Sequence, residues 1–224
     1  MESEPARGQV RVAIIDDHDV VHAGIEAWCS DALPPISVIG SYPTPAAFMA
    51  AFDELTAELD VVILDLQFGD GKPDFGTLRT LCERGQQVIV YSQLAADEII
   101  LTSLDIGAVS FVAKSEGKRH LIDAIHGAAA SEPYVAPRMG RAVLNDSTLG
   151  RVRLSERERE VLVAWFQTES KELVGERLYI APTTVRTHLQ RVRAKYALVG
   201  RSAPTKSALL ARAVEDGLLS VSEL

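Results

Sequence analysis

The chain has 224 residues, 47% hydrophobic and 24% charged, with 15 Gly and 10 Pro; these values suit one large or two small globular domains and exclude collagen-like, low-complexity and disordered classes. Cys29 and Cys82 fit no disulfide framework or zinc spacing, the segment Met1 to Pro5 has no secretory pattern, and no window approaches the roughly 18 apolar residues of a membrane span, so a cytoplasmic protein with reduced core thiols is expected. The net charge of -8 is divided unevenly: residues 1–150 carry 10 Lys+Arg against 22 Asp+Glu, and residues 151–224 carry 13 against 9.

In chain order, the first part alternates short β-branched runs with helical patterns. Strands are predicted at 10–15, 36–39, 61–64, 88–91 and 109–113, nearly continuous in hydrophobicity as strands buried on both faces must be. Helices fall between and after them, at about 20–31, 45–58, 75–84, 96–106 and 118–130. Five such units in series imply a doubly wound, five-stranded parallel sheet covered on both faces. The periodicity fades over 131–151, read as a linker carrying a short helix near 138–144. Beyond it, Ser155 and Glu158 form a capping box that starts a helix burying Val161, Leu162 and Trp165. Further helices are expected at about 170–178, from Pro182 onward, and at about 205–216. The expected organisation is an α/β domain over 8–130, a linker over 131–151, and a small all-α domain of four helices over 152–224.

Ligands of such sheets bind outside the carboxyl ends of the strands at the switch point. The first strand ends in Asp16-Asp17 and the third in Asp65, so three carboxylates converge there. Three close negative charges need a cation among them or a proton on one, and hard oxygen ligands open to water suit Mg²⁺. Ser92 and Lys114 end the fourth and fifth strands and add a hydroxyl and an ammonium to the same rim. The set suits a carboxylate nucleophile that accepts a phosphoryl group. A lone Asp after a strand is more often a cap; the combination across four strand ends favours the chemical reading.

The stretch 182–206 holds Arg186, Arg191, Arg193, Lys195, Arg201 and Lys206 and no acid. Along the helix from Pro182, Val185, Leu189, Val192 and Tyr196 share one face, which turns Arg186, Thr187, Gln190, Arg191 and Ala194 outward with Arg193 on a flank. Long donors among small residues suit a major groove, where Arg and Gln read base edges, while Lys195, Arg201 and Lys206 are placed for phosphates. A solvated basic helix is the plainer alternative.

The pattern Asp16-Asp17, Asp65, Ser92 and Phe111-x-x-Lys114 resembles the receiver domain of bacterial response regulators, and residues 154–196 resemble the LuxR-type helix-turn-helix, together the NarL/FixJ class. The resemblance implies that Asp65 is a phosphoacceptor, that Asp17, Asp65 and the Gln67 carbonyl hold Mg²⁺ with Asp16 acting through water, and that Ser92 and Phe111 are the switch pair. It further implies a sensor histidine kinase as donor and a homodimer on pseudo-palindromic double-stranded DNA, contacted through Thr184, Arg186, Thr187, Gln190, Arg191, Arg193 and Lys195. No enzyme is implied beyond a chain that accepts its own phosphoryl group. The sequence departs from the family after Asp65, where Gln67-Phe68-Gly69-Asp70-Gly71 replaces the usual Met-Pro, and at Ala181, where a Ser cap is usual. Two rivals remain: a regulator of the same fold that never uses phosphate, and a phosphatase with an Asp nucleophile, which would need an acid/base where Gln67 stands.

Overall fold

The structure, a computed structural model, describes residues 9–55, 58–69, 72–130, 132, 134–146, 152, 154–168 and 170–218. Strands β1 (Val10–Ile15), β2 (Ile36–Tyr42), β3 (Val61–Leu64), β4 (Val88–Ser92) and β5 (Ser110–Ala113) form one parallel sheet in the order β2-β1-β3-β4-β5. Helices α1 (Asp19–Ser30), α2 (Pro45–Leu55), α3 (Phe75–Glu83), α4 (Asp97–Ile106) and α5 (Lys118–Ala129) connect and follow them. All four residues of β3 and all five of β4 are buried, as the unbroken apolar runs require of central strands. The chain leaves β1 for β2 on one side and reaches β3 on the other, so the switch point lies between the ends of β1 and β3.

Three features differ from the sequence expectation. β2 continues to Tyr42, three residues beyond the apolar run, because its register shifts against β1 between Val12 and Ala13 and the ladder resumes through Gly40 and Ser41. A 3-10 turn, Lys114–Glu116, follows β5 directly. The linker helix is longer than expected: α6 (Pro137–Asp146) buries Met139, Ala142 and Val143 in the core of the sheet domain, so much of the linker belongs to that domain's packing. Asp70 lies outside the described residues.

Four further helices follow: α7 (Glu156–Phe166), α8 (Lys171–Leu178), α9 (Pro182–Leu198) and α10 (Lys206–Glu215). Ser155, Ser170 and Thr205 accept backbone amides as N-caps, each an oxygen for a donor the helix start leaves orphaned. Val161, Val174, Val185, Leu189, Tyr196 and Leu209 build a second core separate from the first. Both cysteines are buried, and burial pushes the thiols up, to about 11 for Cys29 and about 12 for Cys82, which leaves them inert. Among the described residues no helix is long and apolar enough to cross a membrane. Truncating Leu209, fully buried, to Ala should remove about 2–5 kcal/mol from the unfolding free energy of the helical domain in a denaturant titration. Amide protection in β1 and β3 should be unaffected.

Candidate functional site

The end of β1 delivers Asp16 and Asp17, and the end of β3 delivers Asp65. Asp16 and Asp65 are each 2% exposed. A buried pair of carboxylates needs a compensating charge, and Lys114, from the first residue after β5, supplies it: its Nζ lies 2.6 Å from Asp16 Oδ2 and 2.6 Å from Asp65 Oδ2. Burial pulls the ammonium toward neutrality, but the bonds to Asp16 and Asp65 outweigh it and hold the Lys114 pKa above its ordinary value. Lys114 is therefore a fixed positive charge at any physiological pH.

The remaining carboxylate oxygens are also engaged. Asp16 Oδ1 accepts the backbone amide of His18 at 2.9 Å, and the His18 Nδ1 lies 3.0 Å from it and 2.8 Å from Asp17 Oδ1. Asp65 Oδ1 accepts the Gln67 amide at 3.1 Å. The segment after Asp65 is tied down by a bridge between Gln67 and Pro73 and by the Asp74 amide donating to the Leu66 carbonyl at 2.7 Å. Ligand atoms of Asp16, Asp17, His18 and Asp65 all lie within 4.8 Å of one another. His18 thus belongs to the cluster, though the sequence reading did not single it out as a site residue; its adjacency to Asp16-Asp17 was the available signal. Ser92, at the end of β4, is buried and accepts the Leu94 amide through Oγ. Phe111 is fully buried in β5.

The second site is α9, which has three sides. One carries Val185, Leu189, Val192 and Tyr196 into the helical core. A second packs against the sheet domain. Thr184 Oγ1 donates to the Cys82 carbonyl at 2.8 Å, Thr183 Oγ1 to the Gly85 carbonyl at 3.0 Å, and Arg191 to the Ala108 carbonyl at 2.9 Å. The approach is close enough to demand glycine at position 85: its φ is +81°, and a Cβ there would stand 2.8 Å from Thr183 Oγ1. The carbonyl end of α3 thus meets the amide end of α9, a favourable head-to-tail arrangement. It occupies the helix start where an anion would otherwise bind. Ala181 offers no side-chain cap, and the hydroxyls of Thr183 and Thr184 donate to the sheet domain instead.

The expectation that Thr187 and Arg191 face outward, and that Lys195 meets phosphates, is corrected here. Thr184, Thr187, Arg191 and Lys195 are between 3% and 7% exposed. Thr187, Gln190 and Arg191 border the same narrow gap as Gln87, Val109 and Ala124 of the sheet domain. Lys195 donates to Glu158 Oε2 at 2.8 Å, and Glu158, fully buried, accepts the Ser155 amide through the same oxygen while its other oxygen lies 3.8 Å from Arg191 Nε. Arg201 is bonded to Glu215 and Asp216, and Lys206 to the Thr168 carbonyl, so neither stands ready for a phosphate as expected. Only the third side reaches solvent, with Pro182, Arg186 and Ala197 exposed and Arg193 partly so, its guanidinium 5.5 Å from the Trp165 ring.

His188 is 1% exposed and accepts a hydrogen bond from Arg191 at 2.6 Å. Arginine has no lone pair to offer, so the His188 Nδ1 carries no proton. Burial, then the charges of Arg191, Arg157 and Lys195, hold its pKa well below 6.5. An imidazole released to water titrates near its usual value and takes up a proton that the closed protein refuses. Stability is therefore complete above about pH 6.5 and falls as the pH drops below it. Thermal unfolding between about pH 7.5 and 5.5 should show this slope, and His188→Gln should flatten it; an equal slope in both proteins would refute the assignment.

Comparison with known proteins identifies both domains. Residues 12–126 match the response regulator receiver domain, and residues 152–204 match the bacterial regulatory proteins of the luxR family. The transcriptional regulatory protein LiaR of Bacillus subtilis is 27% identical over 83% of this chain and 90% of its own. The probable transcriptional regulatory protein NarL of Mycobacterium tuberculosis is 29% identical over 95% and 100%. Among solved structures, the response regulator ChrA of a heme-sensing two-component system aligns with a TM-score of 0.50 at 26% identity, covering 95% of this chain and 100% of that one. An RcsB–DNA complex aligns at 0.55 and 20% identity, over 93% and 98%, a likeness of fold. The chain belongs to the response regulators: it is a transcription regulator of the two-component class, a receiver joined to a LuxR-type DNA-binding domain.

Proposed function

We propose that Asp65 accepts a phosphoryl group and that this event frees the DNA-reading side of α9. The observation that carries the reading is that one domain holds both ends of the switch: its strand ends form the carboxylate pocket with Lys114, and its Cys82, Gly85 and Ala108 carbonyls cover α9. A carboxylate oxygen of Asp65 attacks phosphorus, a new oxygen–phosphorus bond forms, and the bond to the donor's leaving group breaks. Lys114 neutralises the charge that remains on the phosphoryl oxygens. The natural donor is a phosphorylated histidine of a sensor kinase, and the chain is a stoichiometric acceptor, acting in the cytoplasm.

The donor set fits Mg²⁺: three carboxylates with hard oxygens crowd one spot, two of them buried, and Asp17 is open to water at 37% side-chain exposure. Asp16, Asp17, Asp65 and the Gln67 carbonyl would hold it, and the bound ion would neutralise phosphoryl oxygens during transfer. Ser92, buried at the end of β4, and Phe111, buried within β5, are the pair that responds to the new charge in this reading.

The two threonine bonds and the Arg191 bond contribute about 1 kcal/mol each, so the closed state is favoured by a margin that one ligation event can reverse. Once apart, Thr184, Thr187 and Arg191 join Arg186, Gln190 and Arg193 on one DNA-facing surface, two such helices lying about one turn of duplex apart in a homodimer on pseudo-palindromic sites. Lys195 remains with Glu158, because a lone buried carboxylate is costly.

Labelling with acetyl phosphate and Mg²⁺ should place one phosphoryl group on the wild-type chain and none on Asp65→Asn. The labelled chain should bind its promoter duplex at least tenfold more tightly than the unlabelled one. Label on Asp65→Asn at wild-type yield, or equal affinity of the labelled and unlabelled chains, would refute the proposal.

A further inference from the structure

Glu116 occupies the last position of the 3-10 turn that begins with Lys114. It is half-buried, and its two carboxylate oxygens hold two separate parts of the protein. Oε2 accepts the backbone amide of Ala113, the last residue of β5, at 2.7 Å. Oε1 accepts the backbone amide of Arg138, in the first turn of α6, at 2.7 Å. The first bond closes the turn on itself and so fixes where the Lys114 side chain departs. The second satisfies one of the amide donors that a helix start leaves without an intrahelical partner, and it places a negative charge at the positive end of α6.

The linker helix is held at one further point on the same edge. Asp97, at the start of α4, pairs with the Arg138 guanidinium at 2.7 Å and accepts the Asn145 side-chain amide at 2.8 Å, so it spans the first and last turns of α6. On its other side α6 runs beside the end of α9: a Cβ at Gly140 would lie 3.9 Å from Leu198 Cδ2. A helix clamped to the receiver and abutting the DNA-reading helix is a second physical connection between the two domains, beside the direct bonds of α9 to the receiver carbonyls.

We propose that Glu116 is a positioning residue that couples Lys114 to this clamp. The inference rests on the reading of Asp65 as the phosphoryl acceptor. A phosphoryl group extends outward from the Asp65 carboxylate, so the ammonium now shared between Asp16 and Asp65 is drawn after it. A single residue, Ser115, separates Lys114 from Glu116 in a turn closed by the Glu116 side chain itself, so the carboxylate cannot keep both its bonds when the turn shifts. The bond to Arg138 is the one made to a separate element, and its loss removes one of the clamps on α6.

The test is amide hydrogen exchange over residues 137–146 of the full chain, with and without acetyl phosphate and Mg²⁺, in wild type, Glu116→Ala and Glu116→Gln. Losing the Arg138 bond should open the local structure about tenfold more often. Wild type should therefore exchange about tenfold faster in α6 when labelled. Glu116→Ala should already exchange at that rate unlabelled and gain less than twofold on labelling. Glu116→Gln keeps the size of the side chain but has one acceptor oxygen for two amide donors, and should fall between. Unaltered exchange in β1 and β3 reports that each variant is folded. Wild-type protection in α6 together with a wild-type response to label, in both variants, would overturn the coupling alone. A wild-type chain that takes no label at Asp65 would overturn the acceptor reading and the coupling with it.

Discussion

A buried charge needs a partner, and this chain uses that constraint twice. Asp16 and Asp65 sit at 2% exposure at the ends of β1 and β3 and share the ammonium of Lys114. Glu158, fully buried in α7, is held by Lys195 and faces Arg191. The first arrangement is open to exchange under the proposed chemistry, because a phosphoryl group on Asp65 would offer Lys114 more negative charge than the single carboxylate it replaces. The second is closed, because removing either partner strands a charge in the interior. Signal and scaffold are thus set apart by how replaceable each ion pair is.

The same distinction explains α9. Its apolar side belongs permanently to the helical core. Its polar side is satisfied by three backbone carbonyls of the receiver, bonds that water or a duplex can replace at little cost. An interface of this kind holds when nothing competes and yields when the geometry behind it moves. The α6 helix is packed into the receiver core through Met139, Ala142 and Val143 yet lies beside Leu198, so it touches both sides of that interface.

The sheet and its pocket were legible in the sequence because both depend on local signals. Central parallel strands demand unbroken β-branched runs, and Asp16, Asp17, Asp65, Ser92 and Lys114 each stand where such a run stops. The helix start at Ser155 was equally readable, since a cap and the helix it begins are neighbours in the chain. The fate of the polar side of α9 was not readable, because a stripe of Thr, Gln and Arg looks the same whether it meets solvent, DNA or another domain. Lys195 resembled a phosphate ligand until Glu158, 37 residues away in the chain, was seen beside it. Glu158 itself had been legible as a capping residue, and nothing local showed that its carboxylate also anchors α9. Glu116 carried no signal at all, since both its partners are backbone amides that every sequence possesses.

The central claim is that charge chemistry at Asp65 controls whether α9 is covered. Ala46 on α2 and Ala211 on α10 are exposed, and the two native thiols are buried with raised pKa values, so cysteines introduced at those two positions can be spin-labelled selectively. The distance distribution between them should be narrow in the free protein and should broaden and lengthen when beryllium fluoride and Mg²⁺, a stand-in for the phosphoryl group, saturate the pocket. A distribution that stays narrow and unmoved at saturation would contradict the account.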